Sequence, residues 1–376
     1  MTDELTSQLT ALCRARTADP DASATDLAAL PGHAGFSFSF TLRASGRSEP
    51  LVLRLAPPGV RAYGTADVAR QARLIAALRE RGIPVPPVRW YGDEPDWFGR
   101  PYSVVELLPG STVAQLGERG ALSSRLCRTV VEQAVEVLAR LHALDPVPPA
   151  RWLEEPLEPV HDVERWDRFV ERSADPELVA LAPTLRRRLI ERAPRSFRTG
   201  MFHGDFQWSN LLVHGNALVA VLDWELAAVG PVLNDLGWLC LFSDPQSWGE
   251  DYPPLPPGPP PEEVEAAYRR AWAAPLECDV AWFRALAGYK FAAISGFNLM
   301  LHRRGKRPDP YWERLESSIP RLFERGLEVL GQSERASIVG YHKEPASEAC
   351  APGFPGSTSH GKLERTTEER IEREGR

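Results

Sequence analysis

At 376 residues the chain is longer than one compact core usually spans, which predicts two lobes. Hydrophobic residues at 43% and charged residues at 25% exclude a wholly disordered protein. A formal net charge of -7 leaves no basic excess to neutralise phosphates, so no nucleic-acid partner is expected.

Four of the 44 basic residues are lysines (Lys290, Lys306, Lys343 and Lys362), and none precedes residue 290. The five cysteines are scattered with no C-x-x-C pair, which predicts neither a disulfide framework nor a zinc site and fits a reducing compartment. The acidic start Met1–Glu4 lacks a secretory pattern, and the most apolar region, 217–242, is interrupted by Asp223, Glu225, Asn234 and Asp235. No membrane partner is expected, and the location reads as cytoplasmic.

In chain order, residues 1–29 predict a helical lead-in. The alternation Phe36-Ser37-Phe38-Ser39-Phe40-Thr41-Leu42 reads as a half-buried strand, and turn chemistry at 44–48 joins it to a second strand at 50–55. Val68, Ala72, Ile75 and Leu78 place one helix over 65–81, and further strands follow at 88–91 and 102–107. Beyond a boundary at Pro109-Gly110 the pattern turns helical, at 126–144 and through 162–193. Leu211–Val213 and Leu218–Leu222 then form a hairpin. Seven prolines within 253–261 predict a stiff connector. Helices are expected at 262–273, 279–301 and 310–330, and a disordered tail from Ser333. The resulting divisions are 1–108, 109–332 and 333–376.

The informative stretch is His203-Gly204-Asp205-Phe206-Gln207-Trp208-Ser209-Asn210, placed just before a hairpin whose far strand ends at Asp223. An antiparallel return brings Asp223 beside Asn210. Mg2+ takes hard oxygen ligands, commonly one or two carboxylates plus substrate phosphates, and an amide oxygen with a carboxylate suits it. Asp205 is then left to orient and deprotonate a hydroxyl. This D-x-x-x-x-N arrangement, with a later metal-binding Asp, is the catalytic-loop layout of kinases. A metal hydrolase is disfavoured, since no H-E-x-x-H is present and the eight histidines show no paired spacing.

His203–Asn210, Val221-Leu222-Asp223-Trp224-Glu225-Leu226-Ala227 and Gly230–Leu236 together resemble the aminoglycoside phosphotransferase (APH) family. Leu141-His142, Ile83–Pro86 and Gly99–Glu106 are similar to it as well, and the likeness covers residues 27–330. The resemblance implies an α+β, bilobal, protein-kinase-like fold. Its N-lobe would be a small antiparallel sheet with one helix, for nucleotide binding. Its C-lobe would be mainly α-helical, carrying the catalytic β-hairpin and the acceptor site.

The implied reaction is Mg2+-dependent phosphoryl transfer from ATP or GTP to a hydroxylated small molecule. Asp205 would be the base and Asn210 and Asp223 the metal ligands. His203 would brace the loop, Glu225 would face the substrate, and Asp235 would cap or anchor the next helix. Gly32, Gly35 and Ser37 would cover the nucleotide phosphates, where glycines admit close backbone approach. Glu106 and Leu108 would meet the purine at the hinge.

Two departures stand out. With no N-lobe lysine, Arg54 is the candidate phosphate ligand. At the helix position where the family has Arg-Glu, this chain has Arg70-Gln71, so the usual ion pair to the strand cation loses its charge. A catalytically silent nucleotide- or metabolite-binding protein is the alternative reading. The acceptor stays open. Asp244, Glu250, Asp251, Glu262 and Glu263 would suit a polycationic aminoglycoside, while Trp208, Trp224, Trp238, Trp248 and Trp282 would suit a sugar, a macrolide or an acyl chain, if they are not core.

Overall fold

The computed structural model describes residues 2–30, 36–57, 67–93, 95–144, 156–252, 258–272 and 274–341. Contacts group residues 1–335 into one compact unit and 336–376 into a second, of which only 336–341 is described.

The lead-in is only partly helical: α1 covers Thr2–Thr17, but Ser23–Ala29 is strand β1. Its sequence S-A-T-D-L-A-A has little strand character of its own. It is extended because it pairs antiparallel with β2 (Ser37–Ala44), from Ser23↔Arg43 to Ala29↔Phe38. The hairpin to β3 (Arg47–Leu55) turns on Ser45 and Gly46, both at positive φ (49° and 73°), as a two-residue turn matched to strand twist requires. Helix α2 (Val68–Glu80) begins at Asp67, whose carboxylate accepts from the Arg70 amide. Strand β4 (Val88–Gly92), the short helix α3 (Pro95–Phe98) and β5 (Tyr102–Glu106) follow, giving a five-stranded sheet of order β1-β2-β3-β5-β4.

Strand β3 has period two. Leu51, Leu53 and Leu55 are buried in a small core with Leu9, Leu12 and Cys13 of α1, while Arg54 belongs to the opposite face. The helix that covers the buried side of the sheet is therefore α1. The predicted helix, α2, sends Leu74 and Leu78 into the larger core instead, together with Ile83 and Val85.

After β6 (Ser111–Thr112) and α4 (Val113–Glu118), α5 (Ser124–Ala143) presents Cys127, Val131, Ala134, Leu138 and Leu141 to that larger core. The region expected to be helical through 162–193 is broken into α6 (Pro159–Glu164), α7 (Asp167–Val170) and α8 (Ala182–Glu191). Strand β7 (Thr199–Phe202) precedes the hairpin β8 (Leu211–His214) and β9 (Ala217–Val221), with β6 added to its edge. Strand β10 (Ala228–Pro231) pairs antiparallel with β7, a pairing the sequence does not announce.

Helices α9 (Leu233–Phe242), α10 (Pro261–Trp272), α11 (Val280–Arg303) and α12 (Ser318–Tyr341) complete the larger core. The proline-rich connector is shorter than expected, since Pro261 already opens α10; residues 253–257 lie outside the described residues. The expected disordered tail is also corrected at its start. The helix continues through Ser333 to Tyr341, and residues 342–376 lie outside the described residues.

Candidate active site

The β7–β10 pair and the β8–β9 hairpin deliver two loops to one place. Residues 203–210 leave β7 and enter β8; residues 222–227 leave β9 and enter β10. The Leu222 amide donates to the Asn210 carbonyl at 2.8 Å, so Asp223 emerges beside Asn210, as the hairpin argument expects.

The first loop is pinned from behind by Asp235, in the first turn of α9 and fully buried. Its carboxylate accepts the amide protons of His203 (2.7 Å) and Gly204 (2.8 Å) and lies 3.3 Å from the His142 ring, which itself meets the Tyr268 hydroxyl. Asp235 therefore anchors the loop rather than its own helix. Gly204 has φ +87°, and a Cβ there would lie 2.4 Å from the Leu226 carbonyl oxygen, so only glycine lets the two loops pass.

His203 is hydrogen-bonded to both loops. One ring nitrogen, Nε2, lies 2.8 Å from the Leu222 carbonyl and the other, Nδ1, accepts the Asp205 amide proton at 3.1 Å, which fixes a neutral Nε2–H tautomer. Burial holds its pKa below the ordinary histidine value, against the opposing pull of Asp235.

Asp205 is surrounded by neutral donors. Its Oδ1 accepts from Trp238 Nε1 at 2.8 Å and Gln207 Nε2 at 3.2 Å, and its Oδ2 accepts from Asn210 Nδ2 at 2.7 Å. Burial, and then the Asp223 charge, push its pKa up to about 7, while these three donors pull the other way. With two bonds on Oδ1 and one on Oδ2, one acceptor position on Oδ2 is left for an incoming hydroxyl. Trp238 is the contributor that sequence reasoning missed. Tryptophan reads as core material, and only the fold reveals what its N–H reaches.

The Asn210 amide gives one proton to the Asp205 carboxylate and the other to the Asp205 carbonyl at 2.8 Å. Both donors being used, its Oδ1 is turned away from the loop. Asp223 is left-handed at φ 60°, and its Oδ1 accepts from Arg54 Nη1 at 2.9 Å. The oxygens remaining, Asn210 Oδ1 and Asp223 Oδ2, are hard ligands of the kind Mg2+ uses with substrate phosphates. Among the described residues no cluster of three or more His, Cys, Asp or Glu could hold a metal.

Arg54 reaches across to the second loop. Its guanidinium engages two carboxylates of the second loop, through Nη2 to Glu225 Oε2 (2.9 Å) as well as Nη1 to Asp223. Burial and the Asp223 charge raise the Glu225 pKa, opposed by Arg54 and Arg307. Glu225 thus faces Arg54. Ser37 lies opposite Arg54 in the β2–β3 register, and Ser103 opposite it in β5. Gly32 and Gly35 lie outside the described residues. At the hinge, the Glu106 amide donates to the Pro87 carbonyl and that of Leu107 to Pro50, so Leu108 supplies the next amide along.

The acidic residues weighed for a cationic acceptor are largely engaged elsewhere. Asp244 is buried between Arg325 (2.9 Å) and Arg284 (3.4 Å); Glu262 pairs with Arg284, and Glu263 with Arg128. The five tryptophans weighed as acceptor surface are all buried.

Residues 29–288 match the family model described as the phosphotransferase enzyme family, APH. Among curated proteins, the chain is 30% identical over 196 residues to mouse acyl-CoA dehydrogenase family member 10, covering 51% of this chain and 18% of that protein. It is 28% identical over 311 residues to mouse acyl-CoA dehydrogenase family member 11, covering 77% of this chain and 38% of that one. It therefore spans well under half the length of these relatives.

Many solved structures share the fold, among them the following three. One, from Ralstonia eutropha, is described as a candidate aminoglycoside phosphotransferase (TM-score 0.67, 21% identity, 87% of this chain and 98% of that one). Another is a thermostable variant of aminoglycoside phosphotransferase APH(4)-Ia with ADP and hygromycin B (0.54, 17%, 84% and 98%). The third is the choline kinase LicA from Streptococcus pneumoniae (0.54, 12%, 87% and 99%).

Proposed function

Because the chain belongs to the APH phosphotransferase enzyme family, we propose that it transfers the γ-phosphate of ATP or GTP to a hydroxyl of a small molecule, with Asp205 as the base. The observation that carries this is the Asp205–Asn210 pair. The bonds that hold Asp205 leave one lone-pair position on Oδ2, and those that hold Asn210 use its amide nitrogen and leave its amide oxygen for a cation. The acceptor hydroxyl donates to Asp205 Oδ2. As its oxygen forms a bond to the γ-phosphorus and the bond to the β-phosphate oxygen breaks, its proton passes to Asp205.

Asn210 and Asp223 would hold Mg2+, which when bound neutralises phosphate charge. Arg54 uses two of its five N–H donors on carboxylates and has others for phosphate. The Leu108 amide and Glu106 carbonyl serve the purine. Residues 1–108 act as the nucleotide lobe and 109–332 as the catalytic and acceptor lobe.

For the acceptor, the engaged state of Asp244, Glu262 and Glu263 disfavours a polycation. The relatives' names concern acyl-CoA chemistry, so hydroxyacyl compounds lead the panel, followed by sugars, amino alcohols and macrolides. Among the described residues no helix is long and apolar enough to cross a membrane.

The test is nucleotide consumption and phosphorylated-product formation over that panel, with ATP and GTP, in the wild type, Asp205→Asn and Asp223→Ala. Transfer is expected in the wild type and lost in both variants. Turnover that survives Asp223→Ala unchanged removes the metal assignment, and turnover that survives Asp205→Asn removes the base.

A further inference from the structure

We propose that Glu225 is a positioning residue for Arg54, standing in for the helix carboxylate that Gln71 cannot supply, and so acts on nucleotide binding rather than on the acceptor. This rests on the phosphotransferase reading above.

Three features converge on it. First, the turn is rigid. Trp224, between the two acids, is 1% exposed; its indole N–H donates to the Val221 carbonyl at 3.0 Å and its ring packs 4.5 Å from that of His203. With Asp223 held left-handed and Trp224–Leu226 in a 3-10 turn, both carboxylates meet one guanidinium.

Second, arginine suits the pair of acids. Its planar fork sends Nη1 to Asp223 and Nη2 to Glu225, each at 2.9 Å, whereas lysine offers a single nitrogen with no fixed fork. The presence of arginine on a strand where kinases use lysine, and of an acid two residues after the metal Asp, thus have one explanation. Third, helix α2 is tied to the same turn by another route. Arg70 Nη2 donates to the Ala227 carbonyl at 2.8 Å, so the helix start stays registered to the site without a helix carboxylate on the strand cation.

The pair to Glu225 leaves Asp223 Oδ2 and the unused guanidinium N–H groups directed by a fixed scaffold. Removing the Glu225 charge leaves Arg54 held by Asp223 alone, and phosphate binding then bears more of the entropy of ordering its fork.

The test is a double-mutant cycle read by calorimetric titration of non-hydrolysable ATP and GTP analogues with Mg2+, using the wild type, Glu225→Gln, Arg54→Gln and the double variant. Thermal melts establish that each variant is folded, and Arg54→Lys gives a second entry to the cycle. Glu225→Gln is expected to weaken nucleotide binding roughly tenfold, but by less than about twofold when Arg54 is already Gln or Lys. Its acceptor KM should stay within about twofold of wild type.

Losses that multiply in the double variant, or unchanged nucleotide affinity with a raised acceptor KM, overturn the proposal. A wild type that binds neither analogue overturns the phosphotransferase reading itself, and this inference falls with it. A wild type that binds and transfers, with Glu225→Gln indistinguishable in nucleotide affinity, overturns the positioning role alone.

Discussion

Two carboxylates in the larger lobe, Asp162 buried and Asp205 half-buried, are treated in opposite ways. Asp162 is fully buried and given two cations, Lys290 at 3.5 Å and Arg165 at 2.8 Å, besides the neutral Trp166 N–H at 3.3 Å, and its pKa falls below the ordinary value despite burial. Asp205 receives only neutral donors and a like charge nearby, and is pushed up to about 7. The two are linked, because the Lys290 ammonium lies 5.5 Å from the ring centre of Trp238, whose N–H holds Asp205. One carboxylate is neutralised so that the fold can bury it. The other is left poised near neutrality, where a carboxylate can both orient a hydroxyl and take its proton.

The largest effect expected from this contrast is chemical. Asp205→Asn keeps shape but removes the proposed base, and kcat should fall by about 10²–10⁴-fold. A variant within tenfold of wild type in single-turnover transfer would mean that the contrast has no catalytic content. Next in size is the structural half. Lys290→Met leaves the Asp162 charge buried with only the part-exposed Arg165, and should destabilise by about 3–5 kcal/mol in urea unfolding. Adding Asp162→Asn should recover much of that loss. If the double variant is no better than the single one, Lys290 matters through packing on Trp166 and Trp238 rather than through charge.

A third test follows Asp205 by pH in chelator-treated, nucleotide-free protein. Its folded pKa lies above the unfolded value of about 3.9. The folded state therefore holds more protons between pH 4 and 7, and the stability linked to this group is lost as pH rises through that window. Asp205→Asn lacks this slope. It should match the wild type near pH 4 and exceed it by on the order of 2 kcal/mol at pH 8. A difference that stays flat from pH 5 to 8 would show that Asp205 titrates as an ordinary carboxylate.

The same contrast marks what the sequence reveals. That Asp205, Asn210 and Asp223 come together is legible because they fall within a short window and a hairpin turn brings the last one back. The sheet strands β2 to β5 were legible from alternation and turns. Strand β1 was not, because its extension comes from pairing with β2 rather than from its own residues. The β7–β10 pair was not, because four-residue strands carry no periodicity.

Arg54 stands out because no lysine precedes it, yet its partners lie 169 and 171 residues away, and the usual strand–helix pairing of kinases points to Gln71 instead. Lys290 and Asp162 are 128 residues apart, and a lone lysine in an apolar helix gives no hint of its counter-ion. The acids at 244, 262 and 263 resembled a binding patch because composition cannot distinguish a solvated acid from one paired with a distant arginine.

The smallest effect serves as the reference for the others. Arg128 and Glu263 also form an ion pair between separate helices, α5 and α10, but their side chains are 54% and 52% exposed. Water solvates both charges with or without the partner, and ordering two long side chains costs entropy, so little net stabilisation survives. Glu263→Gln should shift unfolding by less than about 0.5 kcal/mol, and raising salt should shrink even that. Set beside Lys290→Met, this pair isolates burial as the variable: similar groups, a different solvent, and an expected difference of several-fold. A loss at Glu263 as large as that at Lys290 would mean that helix docking, not desolvation, governs both, and the contrast between Asp162 and Asp205 would then need a source other than their access to water.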